Sequence, residues 1–156
     1  MIRVGQGFDA HKFSQQGQLK LGGVVIPSDR GIDAHSDGDV LLHAICDALL
    51  GAAGLGDIGI HFSDKDPENK NRDSREFISE VFKMLAMKKL SVVNVDATII
   101  LQAPKISAYI DDMREIIAHD LKLDPEYVNI KATTTEKMGF VGREEGIAAM
   151  AVVLIQ

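Results

Sequence analysis

Apolar and polar residues alternate with a period of two over residues 1–7, 19–26, 92–101 and 128–133, which together with the apolar run 147–155 predicts five strands able to build one sheet. Between them the apolar spacing changes to three and four. Val40, Leu41, Ala44, Ile45, Ala48 and Leu49 mark a helix over residues 39–53, with Ser36 or Asp37 as its N-cap. A second helix starts near Ser74 and carries Phe77, Ile78, Val81, Phe82 and Leu85. A third follows Pro104, a residue tolerated at a helix start and not inside one, and uses Ile106, Ile110, Met113, Ile116, Ile117 and Leu121. This order of elements predicts an α+β sandwich. The stretches 51–71 and 102–107 read as long loops, where function tends to concentrate.

The last strand, 146–155, departs from alternation. It reads Ile-Ala-Ala-Met-Ala-Val-Val-Leu-Ile from Ile147, apolar on both faces, so both faces are expected to be covered. With helices on one side of a small sheet, the other side is most simply covered by a second copy of the chain. An oligomer is expected.

Length and composition narrow the class. At 156 residues, 46% hydrophobic and without a Pro- or Ser-rich spacer, residues 1–156 read as one domain. A formal charge of −6 and the lack of any Lys/Arg cluster argue against a nucleic-acid surface. No window approaches the roughly 20 apolar residues of a membrane span, and the chain opens on a strand pattern without a signal or transit segment, so a soluble, cytoplasmic protein is expected. Cys46 has no partner for a disulfide and no activating base beside it; it reads as a small buried residue, not a nucleophile.

Candidate chemistry begins at Gly5-Gln6-Gly7-Phe8-Asp9-Ala10-His11. If the first strand continues, Asp9 and His11, two apart, leave the same face of the sheet. His43, from the first helix, would complete a His-His-Asp set suited to zinc or a similar divalent ion with one position open. The alternative is a strand-end Asp and two polar or capping histidines. His43 stands four residues after Asp39 and four before Asp47, so a carboxylate on its own helix face is expected to orient its free ring nitrogen.

Residues 34–39, Ala-His-Ser-Asp-Gly-Asp, precede that helix, where free backbone N–H groups favour an anion such as phosphate. They serve equally as an ordinary cap, although His35 and Ser36 add donors that capping does not require. Asp57-Ile58-Gly59 and Phe62-Ser63-Asp64-Lys65-Asp66 form an acidic loop whose carboxylates either accept from sugar or polyol hydroxyls or are solvated turn residues; by themselves they favour the latter. The run Thr133-Thr134-Thr135 is either β-propensity or, with Glu136 and the turn 139–143, a phosphate and cation site. Arg143 alternatively makes a surface or interface ion pair.

Taken together, Gly7-Phe8-Asp9-Ala10-His11, Leu21-Gly22-Gly23, residues 34–53, Asp57-Ile58-Gly59, Gln102-Ala103-Pro104-Lys105 and the segment 132–146 resemble, in order and spacing and over essentially the whole chain, the 2-C-methyl-D-erythritol 2,4-cyclodiphosphate synthase family. The resemblance implies a ferredoxin-like α+β sandwich, a mixed sheet with helices on one face, packed around the axis of a homotrimer with active sites between subunits. It implies the substrate 4-diphosphocytidyl-2-C-methyl-D-erythritol 2-phosphate, closed to the 2,4-cyclodiphosphate with release of CMP. Asp9, His11 and His43 would hold zinc, or Mn or Co, with Ala10 against the substrate, and His35 and Ser36 would bind phosphate. Thr134 with His35 would stabilise the transition state, and Glu136, with Thr135 beside it, would bind a second ion, Mg or Mn. Asp57, Ile58, Gly59, Phe62, Ser63, Asp64, Lys65 and Asp66 would hold the methylerythritol part. Leu101, Gln102, Ala103, Pro104, Lys105, Ile106, Ser107 and Thr133 would hold the cytidine side, and Phe140 and Arg143 would lie near the substrate and a central cavity for an isoprenoid diphosphate.

Three positions depart from the family's usual pattern: Ile60 for Lys, Lys65 for Thr and Glu144 for Gly. Two other classes remain to be separated by experiment: a metal-dependent phosphohydrolase in which water attacks, and a binding module that senses isoprenoid diphosphates.

Overall fold

The computed structural model describes all residues 1–156. In chain order it contains strands β1 (Arg3–Ser14), β2 (Leu19–Leu21), β3 (Val24–Ile26) and β4 (Gly31–Asp33), then helices α1 (Val40–Ala53), α2 (Ile58–His61) and α3 (Ser74–Met87). Strand β5 (Val92–Ile100), helix α4 (Ile110–Leu121), strand β6 (Val128–Thr133), helix α5 (Gly139–Gly142) and strand β7 (Gly146–Ile155) complete it. Five strands form one mixed sheet in the order β4-β1-β7-β5-β6, and β2 and β3 form a separate hairpin. Strand β7 is antiparallel to both neighbours, while β5 and β6 are parallel. Strands β1, β5 and β6 therefore end at the same edge of the sheet.

The expected α+β layering is present, but the ferredoxin-like expectation needs correction. That motif runs βαββαβ, whereas here the four long strands follow β-α-β-α-β-β and the last inserts between the first two. Hydrophobic periodicity reports layers and faces; it carries no information on which strands become neighbours.

Local differences have local causes. The segment 19–26 is a hairpin, not one strand, because Gly22 (φ 57°) and Gly23 (φ 80°) adopt the left-handed pair of a two-residue turn. Strand β4, three residues long, was too short to show a period. The 51–71 stretch contains α2 and a 3₁₀ turn at Pro67–Asn69. Ile106 lies outside the third helix, which begins at Ile110 after the 3₁₀ turn Ser107–Tyr109.

Strand β1 continues to Ser14, so Gly5, Gly7, Asp9 and His11 share the face that α1 covers. The helix lies unusually close. A Cβ on Gly5 would stand 1.9 Å from the Ala48 carbonyl oxygen, and one on Gly7 1.9 Å from that of Ala44. Four helical residues advance about 6 Å and two strand residues about 6.6 Å, so alanines of α1 step along the glycines of β1 in register. Twelve of the fourteen α1 residues are buried, which places this helix at the centre of the core. Helix α3 packs against α1, and α4 packs against α3 and strand β6.

The first helix is capped by Asp39, not by Ser36 or Asp37. Its fully buried carboxylate accepts from the N–H groups of Leu42 (3.1 Å), Gly22 (2.9 Å) and Gly23 (2.7 Å). The β2–β3 turn is thereby tied to the start of α1.

On the opposite face of the sheet no helix packs. Phe8 is 52% exposed there, and Met150 and Val152 are each 44% exposed. The doubly apolar strand β7 is thus covered on one face by its own chain and open on the other.

Replacing Gly7 with Ala is expected to destabilise the fold by about 3 kcal/mol or more, since the new methyl meets backbone that cannot yield without displacing α1. Chemical denaturation checks this; a loss under about 1 kcal/mol would show that the helix has room to move.

Candidate metal centre

The register between α1 and β1 delivers His43, at the start of the helix, to Asp9 and His11 at the end of the strand. His43 Nδ1 lies 3.1 Å from Asp9 Oδ2, and His11 Nε2 lies 3.0 Å from the same oxygen. The two imidazole nitrogens are 3.1 Å apart. Three ligand atoms thus form a nearly equilateral triangle, close to the roughly 3.3 Å separations of a tetrahedral ion with bonds of about 2.0–2.1 Å. The donor set, one carboxylate oxygen and two imidazole nitrogens, fits a divalent metal.

Electrostatics agree with that composition. Burial alone would raise the Asp9 carboxyl, but bonds from His11 and His43 hold it at about 2. For His43 burial acts to lower the imidazole, and Asp9 outweighs it, so the ring holds a proton above its ordinary range. Burial pushes the Cys46 thiol far up, in keeping with an inert core residue.

Around the triangle lies a cavity of about 290 Å³, lined by Asp33, Ala34, His35, Ser36, Ile58, Gly59, Phe62, Asp64, Asn69 and Phe77 in addition to the three ligands. The loop between β4 and α1 and the loop after α2 meet here. His35 Nε2 donates to the Asp66 carbonyl at 3.2 Å, and Asn71 N–H donates to the His35 carbonyl at 2.7 Å. Ser36 Oγ sits 3.3 Å from His43 Nε2. His35 and Ser36 are thus placed beside the ligand triangle, at the mouth of α1.

Several acidic-loop residues have structural duties. Asp57 caps α2 by accepting from Ile60 N–H at 3.1 Å, and Asp66 caps the next turn by accepting from Glu68 N–H at 3.0 Å. Ser63 Oγ accepts from Lys65 N–H at 3.2 Å, and its carbonyl takes Asn69 Nδ2. Phe62 is buried and stacks on Phe77 with centroids 4.6 Å apart, forming a wall of the cavity.

The expected orientation of His43 by a carboxylate on its own helix is not what the fold provides. Asp39 is occupied by three backbone N–H groups, and Asp47 accepts from Ile58 N–H at 2.7 Å. His43 Nε2 meets the Ser74 hydroxyl at 2.8 Å, and Ser74 in turn bonds Asp37. Neither Ser74 nor Asp37 was readable as a partner, because α3 reaches His43 only through tertiary packing. Asp33, Asn69 and Phe77 escaped for the same reason.

The remaining sequence candidates form two other groups. Leu101, Gln102, Pro104, Lys105, Ile106, Ser107, Ala132, Thr133 and Thr134 line a second cavity of about 330 Å³ at the ends of β5 and β6, beside the cis Ala103–Pro104 bond. Thr135 Oγ1 donates to the Met138 carbonyl, and Glu136, at φ 52°, is exposed on the same turn. Ala10, His11, Lys12, Phe140, Glu145 and Gly146 line a third cavity of about 320 Å³. Arg143 pairs with Glu145 at 2.9 Å. Glu144 stands at φ 58°, the left-handed region glycine favours, and its carboxylate pairs with Arg30 at 3.1 Å. Within one chain the metal ligands and the 101–107 and 133–136 segments do not share a cavity.

Three ligand atoms on the buried face of a mixed sheet, next to a helix start furnished with His and Ser, are the arrangement of a divalent-metal site of the kind found in metal-dependent enzymes. The YgbB family model matches residues 2–156, and the chain belongs to that family. It is 56% identical over 155 residues, 99% of this chain and 98% of the other, to the 2-C-methyl-D-erythritol 2,4-cyclodiphosphate synthase of Vibrio vulnificus (strain YJ016). To the synthase of Alkalilimnicola ehrlichii it is 58% identical over 156 residues, 99% of this chain and 95% of the other. Among solved structures it superposes on the bifunctional IspDF of Campylobacter jejuni with a TM-score of 0.96 at 44% identity, spanning 99% of this chain and 42% of that longer one. The CDP complex of IspF from Plasmodium falciparum matches at TM-score 0.86 and 36% identity, over 99% of this chain and 95% of the other.

Two outcomes are expected of the centre. His43→Ala should abolish tight zinc binding in a chelator competition; retention of zinc would break the ligand assignment. Zinc affinity of the wild type should fall as pH drops below 7, by about tenfold per unit for each proton displaced, because the His43 proton competes with the metal. A pH-independent affinity between 7 and 5 would contradict this.

Proposed function

We propose that the chain, as a single catalytic domain, converts 4-diphosphocytidyl-2-C-methyl-D-erythritol 2-phosphate to 2-C-methyl-D-erythritol 2,4-cyclodiphosphate and CMP, a step of non-mevalonate isoprenoid biosynthesis. The observation that carries the reading is the Asp9–His11–His43 triangle beside His35 and Ser36, in a chain matched end to end by relatives that bear this activity in their names. In the reaction an oxygen of the 2-phosphate forms a bond to the β-phosphorus. The bond from that phosphorus to the bridging oxygen breaks, and CMP leaves with the electron pair. No covalent bond to protein is needed, so the protein's task is in-line positioning and charge neutralisation.

Asp9, His11 and His43 would hold a zinc-type ion, or Mn or Co, which when bound supplies positive charge to the β-phosphate. His35 and Ser36 donate to phosphate oxygens, and His35 with Thr134 meets the charge that develops at the transferred phosphorus. Glu136 offers one carboxylate, a hard oxygen ligand that would hold a second ion, Mg or Mn, which would supply further positive charge to the diphosphate. The stretch 57–66 receives the methylerythritol hydroxyls; the 101–107 loop and Thr133 receive the cytidine.

The separation of these two groups into different cavities of one chain favours a homotrimer with each active site shared between subunits. The uncovered apolar face bearing Phe8, Met150 and Val152 is a suitable packing surface around the threefold axis. Phe140 and Arg143 face the central cavity, where an isoprenoid diphosphate would bind. The enzyme works in the cytoplasm; no helix is long and apolar enough to cross a membrane.

Metal-stripped protein supplied with the cytidyl substrate should release CMP only after zinc and magnesium are restored, with the cyclic diphosphate as second product by mass spectrometry. An opened diphosphate would indicate a hydrolase, and ligand binding without CMP a sensor; either refutes the proposal. Sedimentation should give three times the 17.0 kDa chain mass, and Met150→Asp should shift it toward monomer with loss of turnover.

A further inference from the structure

His43 is held from two sides, and the ligand triangle accounts for only one. On the other side, Nε2 lies 2.8 Å from Ser74 Oγ. Ser74 Oγ is in very short contact with Asp37 Oδ1, and Ser74 N–H donates to Asp37 Oδ2 at 3.1 Å. The Lys20 ammonium pairs with Asp37 at 3.1 Å and with Asp73 at 2.9 Å. Three separate segments thus converge behind one imidazole: β2, the loop before α1, and the first turn of α3.

Counting protons gives this chain a direction. Burial acts to raise the Asp37 carboxyl, but the donors from Ser74 and Lys20 outweigh it, and the group is an acceptor only. Ser74 has a single hydroxyl proton, which Asp37 takes. Ser74 Oγ is left to accept, so His43 Nε2 must be the donor and must carry a proton. Nδ1, 3.1 Å from Asp9 Oδ2, is then the nitrogen whose proton a metal would displace to gain its lone pair. Ser36 Oγ, 3.3 Å from the same Nε2–H, can only accept a share of it, which leaves the Ser36 hydroxyl proton free for a substrate phosphate.

We propose that Ser74 and Asp37, anchored by Lys20, are positioning residues that hold His43 in its Nε2–H tautomer and aim Nδ1 at the metal. The inference rests on the metal reading of the triangle. Partners of this kind raise ligand basicity and fix ring orientation, and their loss commonly weakens metal binding 10- to 100-fold. A carboxylate acting through a hydroxyl is one bond longer than the usual carboxylate–histidine pair.

Zinc affinity by chelator competition, on Ser74→Ala, Asp37→Asn, the double variant and Asp73→Ala, tests it. Asp73 caps α3 by accepting from Arg75 N–H at 2.9 Å and also holds Lys20, without touching the Ser74 hydroxyl. Asp73→Ala therefore reports what a weakened start of α3 does by itself. Ser74→Ala is expected to bind zinc 10- to 100-fold more weakly, Asp37→Asn about tenfold, and Asp73→Ala within about twofold of wild type. The double variant should match Ser74→Ala alone, because both changes break one chain of bonds. In the zinc-loaded wild type, nitrogen NMR should find the His43 proton on Nε2.

Wild-type affinity in both Ser74→Ala and Asp37→Asn overturns the proposal. So do losses that add in the double variant, equal losses in Asp73→Ala, or a proton on Nδ1. His43→Ala is the control: if it keeps zinc, the metal reading itself has failed; if it loses zinc while the relay variants keep it, only the relay has.

Discussion

Close contact between α1 and β1 is the constraint on which the site depends. Glycine at positions 5 and 7 lets the backbone of the helix settle onto the strand, and the near match between four helical and two extended residues keeps Ala48 and Ala44 in step with them. Carried one step further along both elements, the same register brings the start of the helix to Asp9 and His11. A side chain at either glycine would lift α1 and separate the three ligand atoms. Packing and function therefore use the same contact.

Helix capping is the second device, and it also joins distant segments. Asp39 closes the start of α1 while holding the Gly22–Gly23 turn, which positions β2 and hence Lys20. Asp37, two residues earlier, closes the start of α3 through Ser74 N–H and reaches His43 through the Ser74 hydroxyl. A chain with a formal charge of −6 thus spends its carboxylates near the site largely on backbone N–H groups and on Lys20. His35 and Ser36, beside the ligand triangle, are the positions proposed to face an anion.

The rest of the proposed machinery lies across the sheet. Strands β1 and β5–β6 end at the same edge with β7 between them, so the metal centre and the 101–107 loop face one direction from different strands. Meanwhile the face without helices exposes Phe8, Met150 and Val152. The proposed association of identical chains would cover such an apolar surface and bring the two groups of site residues together. Arg30 neutralises Glu144 on the turn beside Arg143, at a backbone angle that elsewhere suits glycine.

By itself the sequence determined most elements and the identity of the ligands. Periodicity found the long strands and three principal helices, because burial on one face imposes a period that needs no knowledge of neighbours. The spacing of Asp9 and His11 placed them on one face for the same reason, and the full set of motifs was specific enough to suggest the family. Short pieces such as β4 and α2 were illegible, having fewer residues than a period needs, and the hairpin at 19–26 was hidden by two glycines whose positive φ only the fold reveals. Strand order, the choice of Asp39 over Ser36 and Asp37 as cap, and the partner of His43 were decided by tertiary structure alone. Each depends on which surfaces meet: Ser74 lies 31 residues from His43, and no local pattern connects them until α3 packs against α1.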